Sequence, residues 1–134
     1  MPLTFHPKPG TVVFCDFTTG FLAPEMVKRR PVVIVSPMFR NRPQLCTIVP
    51  LSTTQPEPEE AYHHLLSQGA YPPAGTSLVW AKCDMLATVT LARLDRIKTN
   101  RRQFETYTLP KADMHAIRCG ILCALGLDQL TDHL

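Results

Sequence analysis

The sequence predicts a mainly β protein: a small, strongly bent antiparallel barrel with one α-helix at its C-terminal end. The chain has 134 residues, about the length of one domain, so we expect a single domain over residues 1–134. It holds 13 prolines, roughly twice the average share of ~5%, and each interior proline would cost a helix about 3 kcal/mol. Apolar runs of strand length recur along the chain up to residue 108, whereas a helical repeat occurs only near its end.

The predicted strands are short runs of apolar, β-branched or aromatic residues bounded by turn residues. In chain order they are residues 11–17, 31–36, 45–51, 63–66, 77–81 and 104–108. The run at 63–66 is expected to be an edge strand inside a proline-rich, irregular stretch from 52 to 76. Residues 84–89 continue in extended form after a kink, and residues 91–97 fit either a helical turn or a short strand.

The last element is predicted to be an amphipathic helix. Its apolar residues recur at spacings of three, four and four: Met114, Ile117, Ile121 and Leu125. Pro110 stands near the start, where a first-turn proline is tolerated, and Gly126 stands just past the end, as a helix-ending glycine does. The helix is therefore expected from about Lys111 to Leu125.

The charge of the chain is mild but clustered. The net charge of +3 permits binding to nucleic acid without requiring it. Most of the basic residues fall in two groups, which are Lys28, Arg29, Arg30, Arg40 and Arg42, and then Arg93, Arg96, Lys98, Arg101 and Arg102. Solvated surface is the ordinary interpretation of such groups. With 19% charged and 45% apolar residues, the composition excludes a charge-rich disordered chain.

Cysteine and histidine usage indicates reduced thiols and no metal site. The five cysteines are an odd number without an apolar signal segment ahead of them, so we expect a cytoplasmic protein. No stretch approaches the ~20 apolar residues of a membrane span. Cys119 and Cys123 have helical spacing, but no CxxC motif or histidine pair completes a zinc site. His63 and His64 would point to opposite faces of a strand and are expected at the surface.

A guanidinium stands at the start of the second predicted strand. Arg30 lies between a loop of about a dozen residues and a buried strand, with its backbone kept extended by Pro31. At the mouth of a barrel it would present a planar donor fork suited to phosphate. Alternatively, Arg30 pairs with Asp16 or Glu25 and orders the loop.

Two further strand ends carry polar groups. Residues 52–55 follow the third strand, where their side chains can donate to a phosphate oxygen or cap a turn. Lys82 and Asp84 are separated by one residue, so on a strand they would point the same way. They could serve as acid and base, or form an ordinary surface pair.

Taken in order, these segments resemble a known family. They read PGTVVFCDF at 9–17, KRRPVVIVS at 28–36, VPLST at 49–53, a fourth region at 80–90 that contains KCD, and the two ends of the helix at 109–113 and 124–127. The family is the MazF/PemK (Kid) toxins of type II toxin–antitoxin systems, and the resemblance covers about residues 8–127. The string RRPVVIVS is its most specific part.

The resemblance implies an SH3-like antiparallel barrel of the MazF/PemK/CcdB type with a C-terminal helix, usually a homodimer. It implies a sequence-specific endoribonuclease that cuts single-stranded RNA with neither metal nor cofactor. The 2′-hydroxyl attacks the adjacent phosphorus, leaving a 2′,3′-cyclic phosphate and a 5′-hydroxyl end. By the same resemblance, Arg30 contacts the scissile phosphate and stabilises the transition state, and Thr53 hydrogen-bonds that phosphate.

The PemK/Kid branch implies an acid and a base in an Arg-Cys-Asp run, which stands here as Lys82-Cys83-Asp84. Asp84 keeps the position of the base, whereas Lys82 replaces arginine and offers a point charge without the fork. In that branch, a histidine in the first loop is also proposed to assist the reaction. The corresponding loop here, residues 18–29, contains no histidine. The residues expected to bind RNA around these groups are Phe17, Lys28, Arg29, Ser52, Thr54 and Gln55. Phe17 would hold the groove together with Trp80, unless Trp80 is a core residue.

The implied partners are single-stranded RNA and a small antitoxin whose disordered C-terminal tail gains order on binding. Operator DNA would be met only through the antitoxin complex, and no membrane is involved. The alternative is a non-catalytic binding module on the same barrel, either a CcdB-like gyrase binder or a regulator bound to antitoxin or DNA. A CcdB-like gyrase binder would end in a tryptophan-containing helix tip, whereas this chain ends QLTDHL.

Overall fold

The computed structural model describes residues 2–100 and 102–134. Within them the strands are β1 Thr11–Asp16, β2 Arg29–Ile34, β3 Leu45–Ser52, β4 His63–Leu65, β5 Trp80–Lys82, β6 Ala87–Thr90, β7 Leu94–Asp95, β8 Ile97–Asn100, β9 Gln103–Glu105 and β10 Tyr107–Thr108. The α-helix, α1, is Lys111–Ala124. Short 3-10 turns occur at Pro72–Ala74, Cys83–Met85, Leu91–Arg93 and Asp128–His133.

Most of the strands form one curled antiparallel sheet. Its order is β10-β1-β2-β3-β5-β4, with β6 also paired to β3 and β7 also paired to β1. Strand β3 divides its pairing, because Leu45–Ile48 face β6 whereas Leu51 and Ser52 face β5. One long strand thus carries the sheet around a bend. The mainly β fold with a C-terminal helix is confirmed.

The two faces of the sheet bury two separate cores. Since side chains alternate along a strand, Val12 of β1 enters the core beneath α1, which also contains Met114 and Ile117. Val13 and Cys15 enter the opposite core. We call these the helix-side core and the second core. The second core comprises Leu3, Val13, Cys15, Phe17, Val32, Ile34, Cys46, Ile48, Val89 and Leu94.

The helix ends as its sequence predicts. Gly126 has a φ of +75°, a conformation that residues with a Cβ rarely adopt. The N–H of Leu127 donates to the carbonyl oxygen of Leu122 at 2.7 Å, and that of Gly126 donates to Cys123 at 3.1 Å. This pair of bonds is a Schellman motif. No helix of the described residues has the length and apolar content to cross a bilayer.

Strand boundaries differ from the prediction in ways that matter for the site. β2 begins at Arg29 rather than Pro31, because Arg29 and Arg30 pair with Asp16 and Cys15 of β1. Arg30 therefore lies inside a strand. The run at 77–81 becomes strand only at Trp80. The expected edge strand at 63–66 is confirmed as β4, which pairs with β5.

The later segments mix turns and strands. Residues 84–89 are split into the turn Cys83–Met85 and β6, and 91–97 contain both a 3-10 turn and β7. The predicted strand at 104–108 is divided between β9 and β10.

Candidate active site

A lateral row of side chains crosses the sheet near the start of β2 and the end of β3. Arg30 is directly opposite Cys15 of β1, and Ser52 is directly opposite Trp80 of β5. The β2–β3 register pairs Val32 with Pro50, and continuing it by two residues places Arg30 opposite Ser52. Residues opposite each other share a face of the sheet. Arg30, Ser52 and Trp80 therefore lie side by side, and we call them the polar row.

The polar row holds two buried N–H donors. Among the described residues, neither Nε of Arg30 nor Nε1 of Trp80 has a hydrogen-bond acceptor. Buried N–H groups in folded proteins are almost always paired. Two such donors in one row indicate a place where an acceptor oxygen would be stabilised. Trp80 itself is 4% exposed, which agrees with the interpretation of Trp80 as a core residue.

The hydroxyl residues after β3 divide between a turn and the surface. Ser52 is buried, and its Oγ accepts a hydrogen bond from the N–H of Thr54 at 3.1 Å. This is the capping role, and it leaves the hydroxyl proton of Ser52 able to donate to another group. Thr53, Thr54 and Gln55 are exposed just beyond the strand end. Their polar groups are thus accessible beside the polar row.

The loop before β2 is ordered by residues other than Arg30. Arg29 pairs with Asp16 across β1 and β2 at 3.5 Å, and Glu25 accepts from the N–H of Leu22 at 2.9 Å. Arg93 donates to the carbonyl oxygens of Asp16 and Thr19 at 3.0 and 2.8 Å. Ion pairing with Asp16, which the sequence allowed for Arg30, falls on Arg29 instead. One member of the second basic group, Arg93, has a structural role.

Lys82 and Asp84 do not lie on the same strand, contrary to the sequence interpretation. β5 ends at Lys82, and Cys83–Met85 form a 3-10 turn, so strand alternation does not extend to Asp84. The physical reason is Cys83, which is buried and donates its Sγ hydrogen to the carbonyl oxygen of Ile117 in α1 at 3.6 Å. Burial raises the pKa of the Cys83 thiol to about 12. Cys83 is therefore a packing residue rather than a nucleophile.

A histidine that the sequence interpretation assigned to the surface lies beside Asp84. His63 of β4 is directly opposite Lys82, and its Nε2 is 3.8 Å from Oδ1 of Asp84. Its Nδ1 accepts a hydrogen bond from the N–H of Glu60 at 3.0 Å. The His63 side chain is 9% exposed. Strand alternation turns His63 and His64 to opposite faces as expected, but the position of His63 beside Asp84 depends on the pairing of β4 with β5.

Phe17 is not available to RNA in this structure. It is 1% exposed in the second core, where its ring packs edge-on against Phe21 with centroids 5.1 Å apart. The alternation that buries Val13 and Cys15 of β1 carries on to Phe17. The expectation that Phe17 binds RNA is corrected accordingly. Lys28 and Arg29, by contrast, are exposed.

The described part of the chain, 2–100 and 102–134, contains no group of three or more His, Cys, Asp or Glu side chains placed to hold a metal ion. The cysteines Cys15, Cys46, Cys83, Cys119 and Cys123 are free thiols.

Comparisons with known proteins agree with the fold, and the residues that they match include the candidate site. The sequence model of one protein family matches residues 8–123, and that family is described as PemK-like, MazF-like toxin of type II toxin–antitoxin system. The uncharacterized protein YifN of Escherichia coli (strain K12) is 28% identical over 127 residues, covering 75% of this chain and 80% of YifN.

Solved structures share the same fold. MazF from Deinococcus radiodurans superposes with a TM-score of 0.65 at 21% identity, covering 91% of this chain and 98% of that chain. An endoribonuclease from Mycobacterial species, solved in complex with its cognate antitoxin, superposes with a TM-score of 0.63 at 24% identity. It covers 90% of this chain and 96% of its own.

Proposed function

Because this chain belongs to the PemK-like, MazF-like toxins of type II toxin–antitoxin systems, we propose that it is an endoribonuclease that cuts single-stranded RNA without a metal ion. The ribose 2′-oxygen attacks the adjacent phosphorus, and the bond from phosphorus to the 5′-oxygen breaks. The products are a 2′,3′-cyclic phosphate and a 5′-hydroxyl end. Such a reaction needs a base, a proton donor and positive charge at the phosphate.

The observation that carries the proposal is the polar row. The Nε–H of Arg30 and the Nε1–H of Trp80 lie buried without an acceptor among the described residues, on the face that also holds Ser52. Donors fixed before the reaction stabilise the charge that develops on phosphate oxygens. Arg30 supplies the charge, and the exposed hydroxyl of Thr53 at the end of β3 supplies a further hydrogen bond to the same phosphate.

Lys82 and Asp84 supply the acid and the base. Lys82 is two residues from Trp80 on β5 and so shares the face of the polar row. Neighbouring strands lie about 4.8 Å apart, so β2 and β5, on either side of β3, are separated by roughly 10 Å. The long side chains of Arg30 and Lys82 can reach one phosphodiester from its two sides. Asp84 takes the proton of the 2′-hydroxyl, and the Lys82 ammonium donates one to the leaving 5′-oxygen.

The flanking RNA and the partners follow from the same assignment. Lys28, Arg29, Thr54 and Gln55 are exposed around the polar row and contact the nucleotides on either side of the scissile phosphate. We propose that the protein acts in the cytoplasm as a homodimer. A cognate antitoxin neutralises it with a disordered C-terminal tail, and operator DNA is bound only through that complex.

The test is incubation of the purified protein with a mixed RNA pool in EDTA, followed by identification of the fragment ends. Cleavage at a short recurring sequence with 2′,3′-cyclic phosphate and 5′-hydroxyl ends is expected. Intact RNA, whether in EDTA or after addition of Mg²⁺, Mn²⁺ or Zn²⁺, would contradict the nuclease assignment and favour a binding module. Cleavage that requires an added metal would contradict the proposed chemistry.

A further inference from the structure

We propose that His63 is the positioning residue for the base of this site, holding the Asp84 carboxylate through its Nε2–H. This inference rests on the proposed function. His63 lies in β4, directly opposite Lys82 of β5.

The hydrogen bond at the other ring nitrogen fixes the tautomer of His63. Nδ1 accepts the backbone N–H of Glu60 at 3.0 Å, so in the neutral ring Nδ1 carries a lone pair and Nε2 carries the proton. That proton is on the side of Asp84, with Nε2 3.8 Å from Oδ1. The separation is longer than a hydrogen bond, and contacts of this kind often tighten once substrate is bound.

The imidazole is packed on several sides, whereas the carboxylate is partly exposed. The His63 side chain is 9% exposed, the ring of Tyr62 packs edge-on against it with centroids 4.6 Å apart, and β4 pairing sets it opposite Lys82. Asp84 lies in a short turn with 41% of its side chain exposed. A buried donor beside a partly exposed carboxylate restricts the directions in which the free oxygen can point.

This arrangement leaves one oxygen of Asp84 for the 2′-hydroxyl. When Nε2–H holds Oδ1, the remaining oxygen accepts the proton from the nucleophile in a fixed direction. Orientation of that kind lowers the barrier of the chemical step and contributes little to substrate binding. Loss of His63 is therefore expected to reduce kcat and to leave KM nearly unchanged.

The neighbouring histidine, His64, has a different carboxylate neighbour from that of His63. His64 faces the helix, with Nε2 2.8 Å from Oδ1 of the buried Asp113. The two histidines are adjacent in sequence but face carboxylates on opposite faces of β4. Only His63 lies on the face of Lys82.

Two substitutions test the contributions of the two ring nitrogens of His63 separately. In His63→Asn the side-chain oxygen occupies the place of Nδ1 and can still accept from Glu60, but no donor reaches Asp84. In His63→Gln the amide nitrogen occupies the place of Nε2 and can still donate to Asp84. His115→Gln, on the exposed side of α1, is the control for histidine loss elsewhere.

We expect kcat for RNA cleavage to fall roughly 10- to 100-fold in His63→Asn, with KM within about threefold of wild type. His63→Gln should recover a substantial part of kcat, and His115→Gln should match wild type. Adding His63→Asn to Asp84→Asn should cost no further activity, because the positioned group is already gone.

Three results would overturn the inference. They are unchanged kcat in His63→Asn, equal losses in the Asn and Gln variants together with a lowered Tm, and additive losses in the double variant. Each can be recognised only if the wild-type protein cuts RNA, so failure of the inference is distinct from failure of the proposed function. If wild type leaves RNA intact, both are rejected.

Discussion

Gly120 in α1 packs against Cys83 in the turn that carries Asp84. A Cβ placed on Gly120 would lie 2.7 Å from Cys83 Sγ and 3.0 Å from the carbonyl oxygen of Tyr62. The helix comes this near to the site only because residue 120 has no side chain. The C-terminal helix therefore sets the position of both the Asp84 turn and the chain that enters β4.

The added methyl group of Gly120→Ala overpacks a closed contact, which costs about 1–3 kcal/mol, whereas alanine gains roughly 1 kcal/mol over glycine in a helix. We therefore expect a net destabilisation of up to about 2 kcal/mol. Urea unfolding of the variant measures the loss. Cys83→Ala removes the nearest clashing atom, Sγ. The double variant should therefore lose less stability than the sum of the losses of the two single variants. Strict additivity would show that the two residues do not press on each other.

Asp113 is expected to make stability depend on pH in the acid range. Burial alone would raise the pKa of its carboxyl, but hydrogen bonds from Ser67 and His64 outweigh burial and hold the pKa below its usual value. A depressed folded-state pKa stabilises the protein above the unfolded-state value of about 3.9, and this contribution is lost as the pH falls through the folded-state value.

The measurement for Asp113 is urea unfolding of wild type and Asp113→Asn from pH 7 down to pH 2. Asn offers one acceptor oxygen instead of two, so the variant should lose about 1–3 kcal/mol at neutral pH. The difference between the two proteins should shrink as the pH falls below about pH 4. A difference that grows as the pH falls would contradict the assignment of the shift.

Thr53→Ala is expected to lower RNA cleavage at least about 100-fold without loss of stability, because Thr53 is exposed just beyond β3. Its hydroxyl is assigned to the phosphate, so Thr53→Ser should keep most of the activity. Cleavage kinetics of both variants, with urea unfolding alongside, provide the check. If the serine variant is as inactive as the alanine variant, the hydroxyl is not the group that matters.

The strands and the helix could be predicted because their patterns are local. Met114 and Ile117 recur with the helical period, and Gly126 supplies the backbone conformation that ends α1. Arg30 could be singled out because Pro31 and the buried run after it fix its place. These signals depend on neighbours in sequence, and no distant contact was needed to read them.

Contacts between distant segments could not be predicted. His63 meets Asp84 because β4 pairs with β5 in a particular register, and Gly120 matters only because α1 packs on Cys83. Phe17 was misassigned because an aromatic residue at a strand end has the same local pattern whether it is buried or lines a groove. The turn at Cys83 also broke the strand period on which the interpretation of Lys82 and Asp84 depended.

The most direct test of the central claim is the rate of RNA cleavage by Arg30→Ala, compared with wild type and with Arg118→Ala. Arg118 is exposed on α1. Its replacement by alanine removes the same charge at a place away from the polar row. The proposed site predicts a loss of at least about 100-fold for Arg30→Ala, with a cooperative unfolding transition retained and with Arg118→Ala near wild type. Full cleavage activity in a folded Arg30→Ala protein would contradict it.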